Sequence, residues 1–197
     1  MALNRYSAHR TELSLDRLVE FSGPPIFLFD GRSIKATQKF TGTWEPAEGV
    51  EGASILSGNG TRNFRCQDAE GNSLQNFRFV CGFRHHEAET IGFRFLDETG
   101  TEIWKVDIKP DKATLKNETT SSICSLQQFD QAKTFGYHQF RIEAQPNHWR
   151  IELDDQVLGE IPKTNDQSTR QRTIQLSVGG SGAAHFEKIR FRSFKIK

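Results

Sequence analysis

The residues of this chain best suited to recognise a ligand are long polar side chains that alternate with apolar ones. In a β-strand, alternate side chains point to opposite faces, so these polar residues would share the face opposite the apolar core. They are Arg78, Arg84, Arg94, Arg141, Glu143, Arg150, Glu152 and Gln175. A guanidinium group offers paired donors in a fixed geometry, which suits ligands rich in hydroxyl or carboxylate groups. The pattern predicts binding of acidic sugar, and the alternative is an outer sheet face that is simply solvated.

Two carboxylates near Leu153 have the spacing of a glycoside hydrolase site. Glu152 and Asp154 alternate along one strand, where one could act as nucleophile and another as acid at a distance of about 5 Å. The third carboxylate of that pattern is missing, because Val157 and Leu158 follow. The alternative is a hairpin whose turn is made by Asp154 and Asp155. We therefore assign no catalytic residue from the sequence and leave enzymatic activity open.

A histidine pair follows the strand that carries Arg84. His85 and His86 are adjacent and would point to opposite sides of a strand, so they are poorly placed to bind one metal ion. His86 shares the polar side with Arg84 at the rim of the sheet, where a neutral imidazole could bond to a sugar hydroxyl. The alternative is an exposed strand end. No cofactor and no metal site are predicted; calcium would need a cluster of oxygen ligands, to which only Asp154 and Asp155 could contribute.

Three tryptophans could stack on a sugar ring. Trp104 and Trp149 fall on the same alternating positions as neighbouring apolar residues, and so on the same face of their strands, which indicates that they are buried. Trp44 has turn residues on both sides, in the segment Gly42–Pro46, and is the tryptophan that we expect to be exposed and to contact a ligand.

Short strands are predicted for nearly all of the chain after Pro25. The clearest one contains Phe77, Phe79, Cys81 and Phe83 at every second position, which is the period of a half-buried strand. Residues 90–108 and 139–153 each form a predicted hairpin. About ten or more such strands indicate an all-β sandwich or barrel.

The last residues of the chain predict two further strands. Thr173–Val178 alternates, glycines at 179, 180 and 182 permit a reversal, and a second apolar series follows. That series has uneven spacing at Phe186, Ile189, Phe191 and Phe194, which predicts a strand with a local irregularity.

The sequence divides into a short leading segment and one domain. Residues 7–21 predict a short helix or an irregular arm, and Ser22–Pro25 would end any helix there. We therefore predict an N-terminal arm or short helix over residues 1–25 and a single domain over residues 26–197.

Composition excludes some partners and locations. With 26 Lys plus Arg against 25 Asp plus Glu, no overall field would attract the protein to nucleic acid or to an anionic membrane. No stretch approaches the roughly twenty apolar residues that span a bilayer, and the start of the chain lacks the apolar core of a secretion signal. We expect a soluble protein or an excised domain of an exported one.

The three cysteines suggest no disulfide framework, and Cys81 is expected to be a small buried hydrophobe. The oligomeric state is not indicated.

Several short motifs occur in a fixed order along the chain. They are Phe27–Gly31, Gly42–Trp44, Asn76–Arg84, Ile91–Arg94, Trp149–Asp154, and the closing Phe186, Ile189, Phe191 and Phe194. The set resembles the concanavalin A-like jelly roll of lectins and glucanases, and it is most similar to the bacterial domain family named for 3-keto-disaccharide hydrolase. The resemblance covers residues 26 to 197 and implies two curved antiparallel sheets with a glycan-facing surface on the concave one. It implies no particular catalytic residues.

The predicted function is carbohydrate binding, as a lectin-like protein or module. The alternatives are a glycoside or 3-keto-disaccharide hydrolase of the same fold and a laminin G-like protein-interaction module. A convergent carboxylate pair in a closed cleft would favour the hydrolase, an open groove with an exposed tryptophan would favour binding, and calcium-dependent melting would favour the interaction module.

Overall fold

The computed structural model describes residues 19–29, 40–47, 55–68, 70–117, 121–125, 138–163 and 172–196. Within them the chain forms sixteen strands and no helix. The strands are β1 (Val19–Phe21), β2 (Ile26–Phe27), β3 (Phe40–Thr41), β4 (Trp44–Ala47), β5 (Ile55–Gly58), β6 (Gly60–Arg65), β7 (Phe77–Arg84), β8 (Thr90–Leu96), β9 (Glu102–Lys109), β10 (Lys112–Asn117), β11 (Ser121–Ser125), β12 (His138–Ala144), β13 (His148–Leu153), β14 (Gln156–Pro162), β15 (Thr173–Gly179) and β16 (Ala184–Ile196). No helix that could cross a membrane is found in these ranges.

The strands form two antiparallel sheets. The larger sheet has nine strands in the order β14-β13-β12-β7-β16-β5-β4, with β1 and β2 also paired to β16. The smaller sheet has seven strands in the order β11-β10-β9-β8-β15-β6-β3. The last two strands, β15 and β16, each lie inside a sheet between strands that come much earlier in the chain. The two antiparallel sheets form a jelly-roll sandwich. The alternation of apolar residues predicted a sandwich or barrel, and the family resemblance implied the jelly roll, so the predicted fold class is confirmed.

The core lies between the sheets and is built from the alternating aromatic residues. Phe77, Phe79, Cys81 and Phe83 of β7 are fully buried, so the predicted inward face of this strand is confirmed. Across the core, the ring of Phe93 in β8 stacks on Phe140 in β12 with centroids 3.8 Å apart. Burying one such side chain stabilises the fold by roughly 1.5–3 kcal/mol, so the phenylalanines fix which face of each strand points inward.

The closing strand β16 contains the predicted irregularity. Its register against β7 shifts between Glu187 and Arg190, and Lys188 has a φ of 53°. The bulge places one three-residue step, between Phe186 and Ile189, in the apolar series, so that Phe186, Ile189 and Phe191 are all fully buried. Arg190 and the residue two positions later, Arg192, consequently lie on the opposite face, away from the core.

The leading segment is described from Val19 onward. The predicted helix or arm over residues 7–21 lies mostly outside the described residues, and its last three residues form β1. Phe21 pairs with Phe194 of β16, and the two rings meet edge to face with centroids 6.4 Å apart. The predicted domain boundary at residue 25 stays a prediction.

Truncating a stacked core ring should destabilise the sandwich strongly. We expect Phe93→Ala to lower the free energy of unfolding by about 3–5 kcal/mol, because it removes the ring that fills the space against Phe140. The exposed Lys109→Ala in β9 serves as the control and should change it by less than about 0.5 kcal/mol. Denaturant unfolding measures both, and a loss below 1 kcal/mol for Phe93→Ala would contradict this account of the core.

Candidate functional site

Charged side chains form a cross-strand row on the outer face of the larger sheet. Strand register places these residues directly opposite one another across five neighbouring strands: Arg192, Arg78, Glu143, Arg150 and Glu160. A second row is one step along the strands: Arg190, Val80, Arg141 and Glu152. The apolar alternation on the inner face therefore assembles an arginine-rich outer face.

The first buried carboxylate of this face belongs to Glu143. Its Oε1 accepts hydrogen bonds from Nε of Arg78 at 2.8 Å and from Nη2 at 2.6 Å. The side chain of Glu143 is only 4% exposed, so the pair is held in a largely water-free setting where charge-assisted bonds are strong. Glu143 thereby fixes the direction of the Arg78 guanidinium.

The second buried carboxylate, Glu152, holds two arginines at once. Its Oε2 accepts from Nη1 of Arg141 at 2.8 Å, and its Oε1 accepts from Nε of Arg150 at 2.6 Å. Arg141 also donates to the side chains of Gln139 and Asp155, each at 3.0 Å. Both oxygens of Glu152 are engaged by guanidinium groups, so the geometry gives this residue a positioning role.

A pocket of about 310 Å³ opens on this face. It is lined by Phe21, Pro25, Arg78, Val80, Gln139, Arg141, Arg190 and Arg192. Four guanidinium groups thus converge on one cavity from the three adjacent strands β7, β12 and β16, and β1 supplies Phe21 as a wall.

The ring of Phe21 contacts two of these cations. The guanidinium carbon of Arg192 is 4.1 Å from the centroid of the Phe21 ring, and that of Arg78 is 4.8 Å away. Like charges directly opposite each other on neighbouring strands repel, and a shared aromatic face offsets part of that cost. The Phe21 ring therefore helps the sheet to tolerate two adjacent arginines.

The pocket contains more positive charge than its carboxylates balance. Arg190 and Arg192 form no ion pair with any residue of the described ranges. Nε of Arg192 and Nε of Arg141 are buried without a hydrogen-bond partner. Buried donors without partners are costly, so the pocket is chemically suited to an anionic or oxygen-rich ligand.

The other predicted ligand residues on this sheet lie at the far end of β7. Arg84 donates from Nη2 to Nδ1 of His185 at 3.0 Å, and the ring of His86 stacks on that of His185 with centroids 4.2 Å apart. Burial lowers the pKa of His185 below its ordinary value, and the neighbouring His86 and Arg84 lower it further. This end forms a separate polar cluster, and none of its residues lines the pocket.

Arg94 and Trp44 lie away from the arginine face. Arg94 is on β8 of the smaller sheet, opposite Lys105 and Gln175, so it belongs to the other outer surface of the sandwich. Trp44 is half-buried at the inner side of the edge strand β4, where its indole stacks on Phe186 at 5.6 Å and donates to the carbonyl of Thr41. The structure gives Trp44 a packing role at the core margin.

Sequence reasoning missed Phe21, Gln139, Arg190 and Arg192. Arg190 and Arg192 flank Phe191 in the closing strand, and this alternation was a usable signal once Phe191 was assigned to the core. Phe21 carries no such signal, because its place depends on the pairing of β1 with a strand about 170 positions away.

Comparison with known proteins places the chain in a fold but not in a family. No protein-family model matches it, and no curated protein sequence matches it. Among solved structures, a "putative glycosyl hydrolase" from Parabacteroides distasonis aligns with a TM-score of 0.54 and 13% identity over 87% of this chain and 94% of that one. The laminarinase from Rhodothermus marinus aligns with a TM-score of 0.49 and 13% identity over 73% and 79%. The carbohydrate-binding module CBM66 from Bacillus subtilis aligns with a TM-score of 0.46 and 14% identity over 79% and 94%. At these identities the similarity establishes the jelly-roll fold alone.

Removing the carboxylate that holds Arg78 should destabilise the sheet. We expect Glu143→Gln to lower the free energy of unfolding by about 1–3 kcal/mol, because it leaves a largely buried guanidinium without its counter-charge. Glu160→Gln removes the exposed carboxylate of the same row, 52% exposed, and should change stability by less than about 0.5 kcal/mol. Equal effects of the two substitutions in denaturant unfolding would show that Glu143 does not have this role.

The titration of His185 should depend on its contact with His86. The pKa of His185 is depressed, so the unfolded chain binds its proton more readily and the contribution of His185 to stability decreases as pH falls below the ordinary value of about 6.5. We expect His86→Ala to raise the pKa of His185, since it removes the electrostatic effect of the neighbouring imidazole, which lowers that pKa, and exposes the His185 ring. NMR titration of the imidazole measures this, and His148→Ala at the opposite end of the sheet is the control. An unchanged His185 midpoint in His86→Ala would contradict the coupling.

Proposed function

We propose that the protein binds glycans, with a preference for acidic ones, through the pocket on the outer face of its larger sheet. The observation that carries the proposal is the convergence of Arg78, Arg141, Arg190 and Arg192 on a single cavity. No other residue type offers paired donors in so fixed an arrangement.

The pocket combines the two kinds of surface that a sugar needs. Guanidinium groups and the amide of Gln139 can bond to hydroxyl and acidic substituents, while Phe21, Pro25 and Val80 offer an apolar wall to the carbon skeleton. The bidentate contact from Arg78 to Glu143 and the contacts of Arg141 with Glu152 and Asp155 hold two of the donors in place before a ligand arrives. Such preorganisation lowers the entropic cost of binding.

The name of a structurally similar protein agrees with this proposal without establishing it. The Parabacteroides distasonis structure is named as a "putative glycosyl hydrolase". Because one fold supports many functions, the proposal depends on the residues of this pocket.

A hydrolase of the same fold is the second function, and membership in the 3-keto-disaccharide hydrolase family stays a prediction. The two buried carboxylates of the outer face, Glu143 and Glu152, are both engaged by arginines. That geometry gives binding the stronger support. The laminin G-like alternative also stays a prediction, and thermal shifts with and without calcium test it.

Arginine substitutions in the pocket should weaken glycan binding. We expect Arg192→Ala to reduce the affinity for acidic glycans at least about tenfold, which corresponds to about 1.4 kcal/mol, because it removes a donor that is paired with no carboxylate of the described ranges. A glycan array identifies the ligand, and calorimetry with the best binder measures the change in affinity.

Arg94→Ala is the matched control, since it removes an arginine from the outer face of the smaller sheet. It should leave affinity unchanged. Equal losses for Arg94→Ala and Arg192→Ala, or an array on which acidic glycans bind no better than neutral ones, would contradict the proposed site.

A further inference from the structure

The charge balance of the pocket specifies more than a general preference for anions. Of its four guanidinium groups, Arg78 is compensated by Glu143 and Arg141 by Glu152. Arg190 and Arg192 have no carboxylate partner in the described part of the chain. Among the described residues, two positive charges are therefore left for a ligand, and a single carboxylate would balance one of them.

The placement of the arginines also favours a group with oxygens on several sides. Arg192 lies directly opposite Arg78, and Arg190 and Arg141 lie on either side of Val80. Val80 lines the cavity together with those two arginines. A planar carboxylate presents two oxygens and matches one guanidinium fork, whereas a tetrahedral ester presents three terminal oxygens and can accept from several forks at once.

The apolar wall strengthens the attraction of such a group. Phe21 covers the guanidinium groups of Arg78 and Arg192, and Pro25 lines the same cavity. Excluding water from one side of a cation lowers the local dielectric constant and increases its interaction with an opposite charge. Nε of Arg192, buried and without a partner, lies in this covered part of the site.

The cavity is small for a polysaccharide groove. Its volume of about 310 Å³ lies at the lower end of the range of roughly 300–1,000 Å³ typical of small-molecule sites. It therefore suits one sugar residue with its substituent.

We propose that the acidic group is a phosphate monoester carried by a single sugar residue, either a free sugar phosphate or a phosphorylated residue of a glycan. This proposal rests on the glycan-binding function proposed above. The dianion balances Arg190 and Arg192, its terminal oxygens accept from the guanidinium groups on both sides of Val80, and the sugar ring packs against Phe21 and Pro25.

Calorimetry with a matched ligand series tests the chemical class. The probes are glucose, glucuronate, glucose 6-sulfate, glucose 6-phosphate, mannose 6-phosphate and inorganic phosphate, all at the same low ionic strength because exposed charges are screened by salt. At pH 7.5 we expect a hexose 6-phosphate to bind at least about tenfold more tightly than the 6-sulfate, the uronate and inorganic phosphate. A mannan that carries phosphomonoesters, compared with its phosphatase-treated form, shows whether polymer-borne phosphate is also accepted.

A pH series separates the dianion from other anions. The second pKa of a phosphate monoester is about 6, so affinity should fall about threefold to fivefold between pH 7.5 and pH 5.5, whereas the 6-sulfate and the uronate should show no such fall. Among the described residues, the charged groups that face the ligand are arginines from β7, β12 and β16, with Glu143, Glu152 and Asp155 behind them, and no described histidine lines the cavity. The pH dependence would therefore come from the ligand.

Two variants that conserve the positive charge separate an effect on binding from an effect on folding. Arg192→Lys and Arg190→Lys retain the positive charge but lose the planar fork, and each should reduce hexose 6-phosphate affinity about threefold or more while leaving the melting temperature near that of the parent protein. Arg94→Lys in the smaller sheet is the control and should have no effect.

The possible failures are distinguishable. Uronate or 6-sulfate binding as tight as phosphate, with no dependence on pH, would overturn the phosphate assignment and leave acidic glycan binding in place. Inorganic phosphate binding as tightly as the hexose phosphates would overturn the role of the sugar. Binding confined to neutral sugars would overturn both the phosphate assignment and the acidic preference.

Discussion

The structure depends on the burial of every second side chain of β7 and β12, and of the apolar side chains of the bulged strand β16, against the smaller sheet. These three strands are neighbours in the larger sheet, and their inward positions carry large apolar residues that are fully buried, among them Phe79, Phe140 and Phe191. Because a register slip of one residue would turn all of these side chains outward, the core fixes the register, and the register fixes which polar residues meet on the other face. The arginine pocket is thus a consequence of how the core is packed.

Charge is unevenly distributed over the outer face of the larger sheet. Buried ion pairs seldom add much net stability, because removing two charges from water costs about as much as their attraction returns. The pairs of Arg78 with Glu143 and of Arg141 with Glu152 are better understood as devices that orient guanidinium groups. What distinguishes the site is that Arg190 and Arg192, on the neighbouring strand, have no such partner in the described ranges. The fold tolerates this excess through the aromatic ring of Phe21 and through exposure of the cavity to water.

Local features of the structure could be predicted correctly from the sequence, whereas features that depend on distant parts of the chain could not. The alternation in Phe77–Phe83 predicted both the strand and its buried face, and the uneven spacing after Phe186 predicted the bulge. Alternation along a strand shows which face of that strand a residue occupies, but it does not show to which sheet the strand belongs. Arg94 therefore seemed equivalent to Arg78, although pairing places the two on opposite outer surfaces of the sandwich.

The missing members of the site have the same explanation. Phe21 reaches the pocket only through its pairing with Phe194, and Trp44, expected in an exposed turn, is drawn onto Phe186 by the edge strand β4. Both contacts join parts of the chain more than 140 positions apart. Such contacts depend on tertiary packing, which single-strand patterns do not encode.

The bulged strand β16 has a consequence for the order in which the molecule can be assembled. It pairs with β7 along one side and with β5, β2 and β1 along the other, so it joins segments that otherwise have no common neighbour. A nascent chain that has not yet emerged beyond residue 183 would lack Arg190, Arg192 and the strand that pairs with Phe21. The arginine pocket can therefore form only after β16 has been synthesised, and a fold with so many distant pairings is expected to form slowly.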